Sequence, residues 1–186
     1  MKALCILLVL IFSLSLSGCG DKQELEQFRN FQDELSMRET ISFCSELCCE
    51  YPEKTLKLRL YYEENPEGAL VKVLEPQELS GITASFLADG SSLHCGELSI
   101  DTGNLDIYGL SPMTALPCLA KVLKEAYALS SRNDNDFTVY ELSLNEHLKA
   151  DVFFNPLNML PVKAEIISGD SVKVFASIDN WLKIME

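Results

Sequence analysis

No apolar run in this sequence is long enough for a permanent transmembrane helix. The longest one lies within residues 3–16, and its apolar core of about 13 residues falls short of the roughly 20 that a membrane-spanning helix needs. Such a length is typical of a signal peptide that is removed after export. The sequence therefore predicts export without a membrane-spanning segment.

Basic side chains are scarce. The chain has 15 Lys and Arg against 28 Asp and Glu, which gives a formal net charge of −13. A surface of this sign repels phosphate backbones and anionic lipid headgroups. Nucleic acid is therefore excluded as a partner. The negative charge either keeps the protein soluble or favours a basic protein partner.

Catalytic motifs are also lacking. His94 and His147 are the two histidines, and neither accompanies a Gly-x-Ser-x-Gly elbow. There is no glycine-rich phosphate loop. The acidic pairs at residues 63–64 and 134–136 lie in turn-like sequence and are interpreted as solvated turns. We expect neither an enzyme nor a cofactor.

The N-terminus carries an export signal. Lys2 precedes the apolar run, which ends in Leu16-Ser17-Gly18-Cys19. This tetrad resembles the bacterial lipoprotein box, in which the cysteine receives a diacylglycerol and becomes the new N-terminus. Two acyl chains hold a protein firmly at a membrane, whereas one holds it weakly. Cys19 is thus the expected lipid anchor outside the cytoplasm; an ordinary secretory signal and an uncleaved anchor are the alternatives.

Cleavage after residue 18 leaves 168 residues and removes one positive charge, so that the net charge becomes −14. This length is enough for one domain with a hydrophobic core. We divide the chain into a signal peptide at 1–18, a lipidated N-terminus and helical lead-in at 19–40, and one domain at 41–186.

Side-chain alternation from Ile41 onward predicts antiparallel strands. Phe43 and Leu47 fall on one side of the first strand with Ile41, and Ser42 and Cys44 on the other. Turn sequences rich in Pro, Gly, Asn and Asp separate the segments that follow. The predicted strands cover residues 41–51, 56–61, 69–74, 82–87, 92–101, 137–144, 148–154, 162–167 and 171–178.

Apolar residues recur at helical spacing within residues 21–35 and again within residues 111–128. Ser111 is the expected N-cap of the second helix, and Pro117 is tolerated only near its start. Residues 130–136 are predicted to form a polar loop. The fold class is therefore α+β: a curved antiparallel sheet with helices that cover its concave face.

Five cysteines remain in the predicted domain: Cys44, Cys48, Cys49, Cys95 and Cys118. Because five is an odd number, at least one thiol stays outside any intramolecular disulfide. On a strand, Cys44 and Cys48 are about 13 Å apart, which excludes a disulfide between them and argues against a compact metal site. We expect no metal. A disulfide that involves Cys95 or Cys118 remains open, as do buried free thiols.

Several short motifs occur in a characteristic order along the chain. They are PQELSGIT at residues 76–83, DG at 89–90, SP at 111–112, NP at 155–156 and LPVK at 160–163. Together with the order of the elements, they resemble the LolA/LolB family of lipoprotein carriers over residues 22–180. That resemblance implies an incomplete β-barrel whose mouth is plugged by helices. The layout also resembles the germination lipoprotein of spore-forming clostridia, which acts by binding a cell-wall amidase.

The resemblance implies non-covalent binding of a lipid or an acylated ligand in the concave face. The alternative is an envelope interaction protein that binds and regulates a cell-wall enzyme through a sheet edge or its acidic face. Trp181 is expected to fill the core, or else to anchor a partner. The apolar strand residues that would line an acyl cavity, or fill a closed core, are Phe43, Leu47, Leu58, Leu60, Phe86 and Phe153.

Overall fold

The computed structural model describes residues 20–51, 53–103, 110–169 and 172–182. The predicted signal peptide and Cys19 lie outside the described residues. Two α-helices, α1 (Gly20–Ser36) and α2 (Ala115–Glu125), accompany a short 3-10 helix at Gln77–Leu79. The strands are β1 (Ile41–Tyr51), β2 (Lys54–Asn65), β3 (Gly68–Glu75), β4 (Thr83–Leu87), β5 (Gly90–Cys95), β6 (Leu98–Gly103), β7 (Tyr127–Asp134), β8 (Phe137–Ser143), β9 (Leu148–Asn155), β10 (Leu160–Ser168) and β11 (Val172–Leu182).

All eleven strands belong to one antiparallel sheet, in the order β6-β5-β4-β3-β2-β1-β11-β10-β9-β8-β7. Strands β1 to β6 pair successively, as do strands β7 to β11, and the first and last strands pair with each other at the centre. Strands β6 and β7 are the two edges. Within the described residues no ladder joins them, so the sheet is open, as predicted.

Strand alternation places the core on one face of the sheet. In β1, the side chains of Ile41, Phe43 and Leu47 are no more than 3% exposed, whereas Glu46 and Glu50 are exposed. We call the buried side the inner face and the opposite side the outer face. This alternation is the one predicted from the sequence, because side chains along a strand point to opposite faces.

Both helices pack on the inner face. The ring of Phe28 in α1 lies 5.0 Å from that of Tyr140 and 5.9 Å from that of Phe154. Helix α2 buries most of its side chains in the same cluster, including Leu119 and Leu123. The α+β class, with helices on one side of an open antiparallel sheet, is therefore confirmed.

The single strand predicted at residues 92–101 is wrong. The segment forms a tight hairpin, with β5 and β6 paired from Cys95 and Leu98 at the turn to Ser91 and Gly103 at the open end. The turn contains Gly96 at φ +60°, in the left-handed region that glycine enters without steric cost. Apolar residues alternate with polar ones at Leu93 and Cys95 before the turn and at Leu98 and Ile100 after it, and the change of phase between the two pairs marks the reversal.

The polar loop predicted at residues 130–136 is also wrong. Strand β7 runs from Tyr127 to Asp134 and pairs with β8; Ala128 and Leu129 are its apolar residues after Tyr127. An edge strand needs backbone pairing on one side only and need not bury a full apolar face, so its sequence lacks the strand pattern. The second helix is correspondingly shorter than predicted, because Ala126 is already extended (φ −72°, ψ 151°).

The second helix also starts later than predicted. Residues 111–114 form a turn in which the backbone N–H groups of Thr114 and Ala115 both donate to the Ser111 carbonyl, at 3.0 Å. The Ser111 hydroxyl oxygen accepts a further bond from the Thr114 N–H at 3.2 Å. Ser111 thus organises the entry to the helix, but it is not the N-cap residue. Pro117 lies in the first turn, where it was expected.

Candidate functional site

Four of the six predicted cavity residues lie together in the packed core. The side chains of Phe43 and Leu60 are fully buried, and those of Leu47 and Leu58 are 2% and 6% exposed. They share one cluster with the buried residues of helix α2. All four therefore belong to the packed core.

The other two predicted cavity residues are placed differently. Phe86 is half-buried and packs at the margin of the core. Phe153 lies outside that cluster: its ring is 6.4 Å from Phe137 in an edge-on arrangement, and the Nζ atom of Lys163 is 4.5 Å from its centroid. Its neighbour Phe154 points to the inner face instead. Residues 152–154 are all apolar, so side-chain alternation does not show which of the two phenylalanines faces inward.

The outer face of the central strands carries an open groove of about 590 Å³. Strands β2, β1, β11 and β10 lie side by side beneath it. The volume is in the range of sites that hold a small ligand or a short stretch of peptide. We call this the outer groove. Its polar and aromatic lining is Glu46, Cys48, Lys57, Arg59, Glu75, Lys163, Phe175 and Ser177.

Arg59 organises the charge in this groove. One guanidinium nitrogen donates to the Glu46 carboxylate at 3.0 Å, and another to the Asp179 carboxylate at 2.5 Å. The hydrogen bond and charge of Asp179 raise the pKa of Arg59, so the guanidinium stays protonated. The three side chains come from β1, β2 and β11, so Arg59 reaches from β2 across β1 to β11.

Basic residues are concentrated here relative to the chain as a whole. Lys57, Arg59 and Lys163 line the groove against Glu46 and Glu75, although acidic residues outnumber basic ones almost two to one in the full sequence. The groove therefore interrupts an acidic surface. The alternation in the sequence places Cys44, Glu46 and other polar residues on this side of β1, but alone it does not predict a site. The cross-strand pair of Glu46 and Arg59 is the signal that does.

Cys44, Cys48, Cys49 and Cys95 are free thiols, so neither Cys95 nor Cys118 forms a disulfide with any of the four. Burial raises the pKa of the Cys44 thiol, with a further contribution from the charge of Asp179. Burial likewise raises the pKa of Cys49 to about 11. Because a thiolate is the nucleophilic form, neither cysteine is activated for covalent chemistry.

Among the described residues, neither histidine belongs to a Ser-His-carboxylate arrangement. The Nε2 atom of His94 is 2.9 Å from the Ser92 hydroxyl, but among the described residues no carboxylate bonds to the other ring nitrogen, as an activated serine would require. His147 lies in the turn between β8 and β9, seven strand positions from β5. Within the described part of the chain, no group of three His, Cys, Asp or Glu side chains is arranged to hold a metal ion.

In the described residues, neither helix combines the length and apolar character needed to cross a membrane.

Comparison with protein-family models gives no match, and comparison with curated proteins gives none either. Among solved structures, the chain is similar to a LolA superfamily protein from Nitrosomonas europaea (12% identity, 87% of this chain and 94% of that chain, TM-score 0.47). It is also similar to the lipoprotein LppX from Mycobacterium tuberculosis (11% identity, 87% and 96%, TM-score 0.45). A chain in the structure of the CwlD amidase from Clostridioides difficile in complex with the GerS lipoprotein is 17% identical (87% and 94%, TM-score 0.40). At these identities no residue role is transferred.

Proposed function

We propose that this chain is a membrane-anchored extracytoplasmic lipoprotein that binds another component of the cell envelope without catalysing a reaction. In this proposal residues 1–18 are removed and Cys19 carries a diacylglycerol. Residues 19–40 then link the anchor to the domain at 41–186. The support for the anchor is the lipoprotein-box tetrad at the end of a short apolar run, since that position is where the modifying enzymes act.

The proposed partner is a protein segment that lies in the outer groove. One observation carries this choice: the central strands have a filled inner face and an open outer face. Phe43 and Leu60 are fully buried beneath the helices, whereas the groove on the other side of the same strands has a volume of about 590 Å³. An occupant can therefore reach the outer face without any movement of the core.

The charges of the groove favour a segment with an acidic and an apolar side chain. Lys57 and Lys163 would approach the acidic group, and Phe175 would contact the apolar one. Glu46 is already engaged by Arg59, so it repels an acidic partner less than a free carboxylate would. Complementary charges of this kind set the orientation and rate of association more than its strength.

A lipid or acylated ligand between the helices and the sheet is the competing proposal. Such a ligand would occupy space now filled by α2, whose Leu119 and Leu123 are fully buried. Because protein interiors are close-packed, the helix would have to move outward before an acyl chain could enter. Binding in the outer groove needs no such step, and we therefore prefer a protein partner.

The test is recovery of a cross-linked partner from membranes that contain the full-length lipoprotein. The Lys57→Glu, Lys163→Glu double variant reverses two charges in the groove. Its control, Lys54→Glu with Lys149→Glu, makes the same change in net charge at two exposed lysines outside the groove. We expect the groove variant to lower recovery about tenfold and the control to leave it unchanged, because repulsion acts only at the contact.

Equal recovery with both variants, or no partner at all, would contradict the groove proposal. Native mass spectrometry of the detergent-extracted protein tests the competing proposal of a lipid ligand between the helices and the sheet. An acyl ligand that co-purifies in addition to the covalent lipid would favour the inner face. Intact-mass analysis of the same sample tests the anchor, because an unmodified Cys19 or a retained Met1 would rule it out.

A further inference from the structure

The turn between β9 and β10 holds an apolar side chain out in solvent. Leu157 is 93% exposed, more than any other large apolar residue of the described chain. The turn is well ordered by hydrogen bonds: the Leu157 N–H donates to the Asn155 side chain at 2.9 Å, and the Met159 N–H donates to the Asn155 carbonyl at 2.9 Å. The Leu160 N–H donates to the Asn158 side chain at 3.1 Å. Leu157 is therefore presented by a structured turn.

A second apolar side chain lies on the adjacent hairpin. Phe137, at the start of β8, is 38% exposed, and its ring packs edge-on against that of Phe153 at 6.4 Å. The β7–β8 and β9–β10 turns face each other across a shallow depression of about 530 Å³, which Phe137, Pro156 and Leu157 line together. The two turns thus form one surface, which we call the hairpin tip (residues 133–137 and 155–158).

The first helix begins beside this hairpin tip. The carboxylate of Glu24 accepts a hydrogen bond from the Asn133 side chain at 3.2 Å, and its carbonyl accepts one from the Tyr140 hydroxyl at 3.0 Å. Gly20, where the helix starts, is four residues earlier, about 6 Å along the helix axis. Cys19 directly precedes it in the sequence. The chain therefore leads to the proposed anchor from the end of the domain that presents Leu157.

We propose that the hairpin tip rests on the bilayer that holds the anchor, with Leu157 and Phe137 inserted into its interfacial layer. This inference depends on the lipid anchor proposed above. The short path from Glu24 to the acylated residue holds these side chains near the membrane surface. Exposed apolar residues gathered at one place on a soluble domain also mark a membrane or protein contact.

The charge of the hairpin tip selects the kind of membrane surface. Its polar side chains are mainly neutral amides, from Asn133, Asn135, Asn155 and Asn158, which can hydrogen-bond to lipid headgroups. Asp134 and Asp136 are its charged residues. They repel anionic lipid, so contact is expected with zwitterionic or uncharged headgroups.

Such a contact orients the domain and does not recruit it. One leucine and part of a phenylalanine bury too little apolar surface to hold a free protein at a membrane. Once the anchor is inserted, the contact becomes intramolecular and a weak interaction suffices. In this orientation the hairpin tip faces the lipid and the turns at the other ends of these strands face away from it.

The test uses tryptophan fluorescence of the full-length lipoprotein in vesicles of brominated phosphatidylcholine. Trp181 is the sole tryptophan, and Trp181→Phe keeps an aromatic ring against Phe43. In that background, Leu157→Trp places a probe in the hairpin tip. Tyr127→Trp places a matched probe at the other end of β7, where the native side chain is 78% exposed. We expect bromine to quench the probe at 157 at least about twofold more than the probe at 127, because only the former reaches the interface.

Flotation of the vesicles distinguishes a failure of the proposed membrane contact from a failure of the proposed lipid anchor. Protein that floats with the vesicles but is quenched equally at both positions would overturn the membrane contact and leave the anchor standing. Protein that does not float would overturn both. The unaltered chain provides a second measurement, since a photoactivatable phosphatidylcholine should form adducts at residues 133–137 and 155–158. Adducts spread over residues 95–100 and 127–129 as well would contradict the proposed orientation.

Discussion

The ring of Trp181, near the end of the last strand, stacks on the ring of Phe43 in the first strand. Their centroids are 4.9 Å apart and their planes differ by 10°. Phe43 is fully buried, and the centroid of its ring is also 5.1 Å from that of Tyr62. This stacking contact therefore joins the last strand to the first, where the two halves of the sheet meet. Of the two roles expected for Trp181, packing on the core is the one observed.

Replacing Trp181 with alanine should lower the free energy of unfolding by about 2–3 kcal/mol, somewhat less than for a fully buried aromatic residue. The loss arises because the substitution uncovers Phe43 and removes the stacking contact. Tyr127→Ala is the control, since Tyr127 is 78% exposed and surface substitutions change stability by no more than about 0.5 kcal/mol. Chemical denaturation measures both, and equal losses would contradict the packing role.

Phe28 fixes the first helix to the sheet, because its ring contacts both Tyr140 and Phe154. Phe28→Ala should cost about 3–5 kcal/mol, the usual range for a buried aromatic side chain. Met37→Ala is the control at a residue that is 77% exposed. A urea midpoint as high for Phe28→Ala as for Met37→Ala would mean that the helix is only loosely attached and belongs to the linker rather than to the domain.

Much of the fold is predictable from the sequence because its central strands bury one face only. In β1 the alternation of Ile41, Phe43 and Leu47 with polar residues fixes both the strand and its inner side. Helical spacing over residues 21–35 locates α1 to within one residue at each end. In these segments a local pattern and the tertiary burial agree.

The errors arise where burial does not constrain the sequence. Strand β7 is mostly polar because it lies at an edge, and the reversal at Gly96 shows in the sequence only as a change of phase between Cys95 and Leu98. The outer groove was not predicted because it forms from residues on separate strands. Arg59 pairs with Glu46 within one hairpin and with Asp179 on a strand 120 residues away in sequence, so the hairpin indicates the contact with Glu46 but not the whole cluster.

The exposure of the thiols predicts an order of reaction with a disulfide reagent such as Ellman's. Cys95 is exposed, Cys44 and Cys48 are half-buried, and Cys49 and Cys118 are buried. We expect Cys95 to react first and the two buried thiols to react only after unfolding, because reaction requires both access and the thiolate form. Cys95→Ser should abolish the fast phase and leave the slower phases unchanged. Rapid reaction of Cys49 or Cys118 in the native protein would contradict the packed core.

Stability should fall in alkaline solution, for a reason that can be traced to a buried thiol. Burial raises the pKa of Cys49 from 9.0 to about 11. Below pH 9 the thiol is protonated in both states. Between pH 9 and 11 the unfolded chain loses this proton while the folded chain keeps it, so rising pH favours unfolding. Burial also raises the pKa of Tyr51 and of Tyr140 to about 12, from 10.0, and these two groups extend the loss of stability to higher pH.

The contribution of the thiols to the loss of stability can be separated from that of the tyrosines, because the two groups begin to ionise at different pH in the unfolded chain. In the unfolded chain tyrosine has a pKa of about 10, above that of cysteine, so we expect most of the decline that begins near pH 9 to come from cysteine. Replacing both Cys44 and Cys49 with alanine should reduce the fall in urea midpoint between pH 9 and 10, measured under reducing conditions. Cys95→Ala is the control, because it removes one exposed thiol and leaves Cys44 and Cys49 in place. If the double variant declined as steeply as the parent over this interval, the raised thiol pKa values would not be the cause.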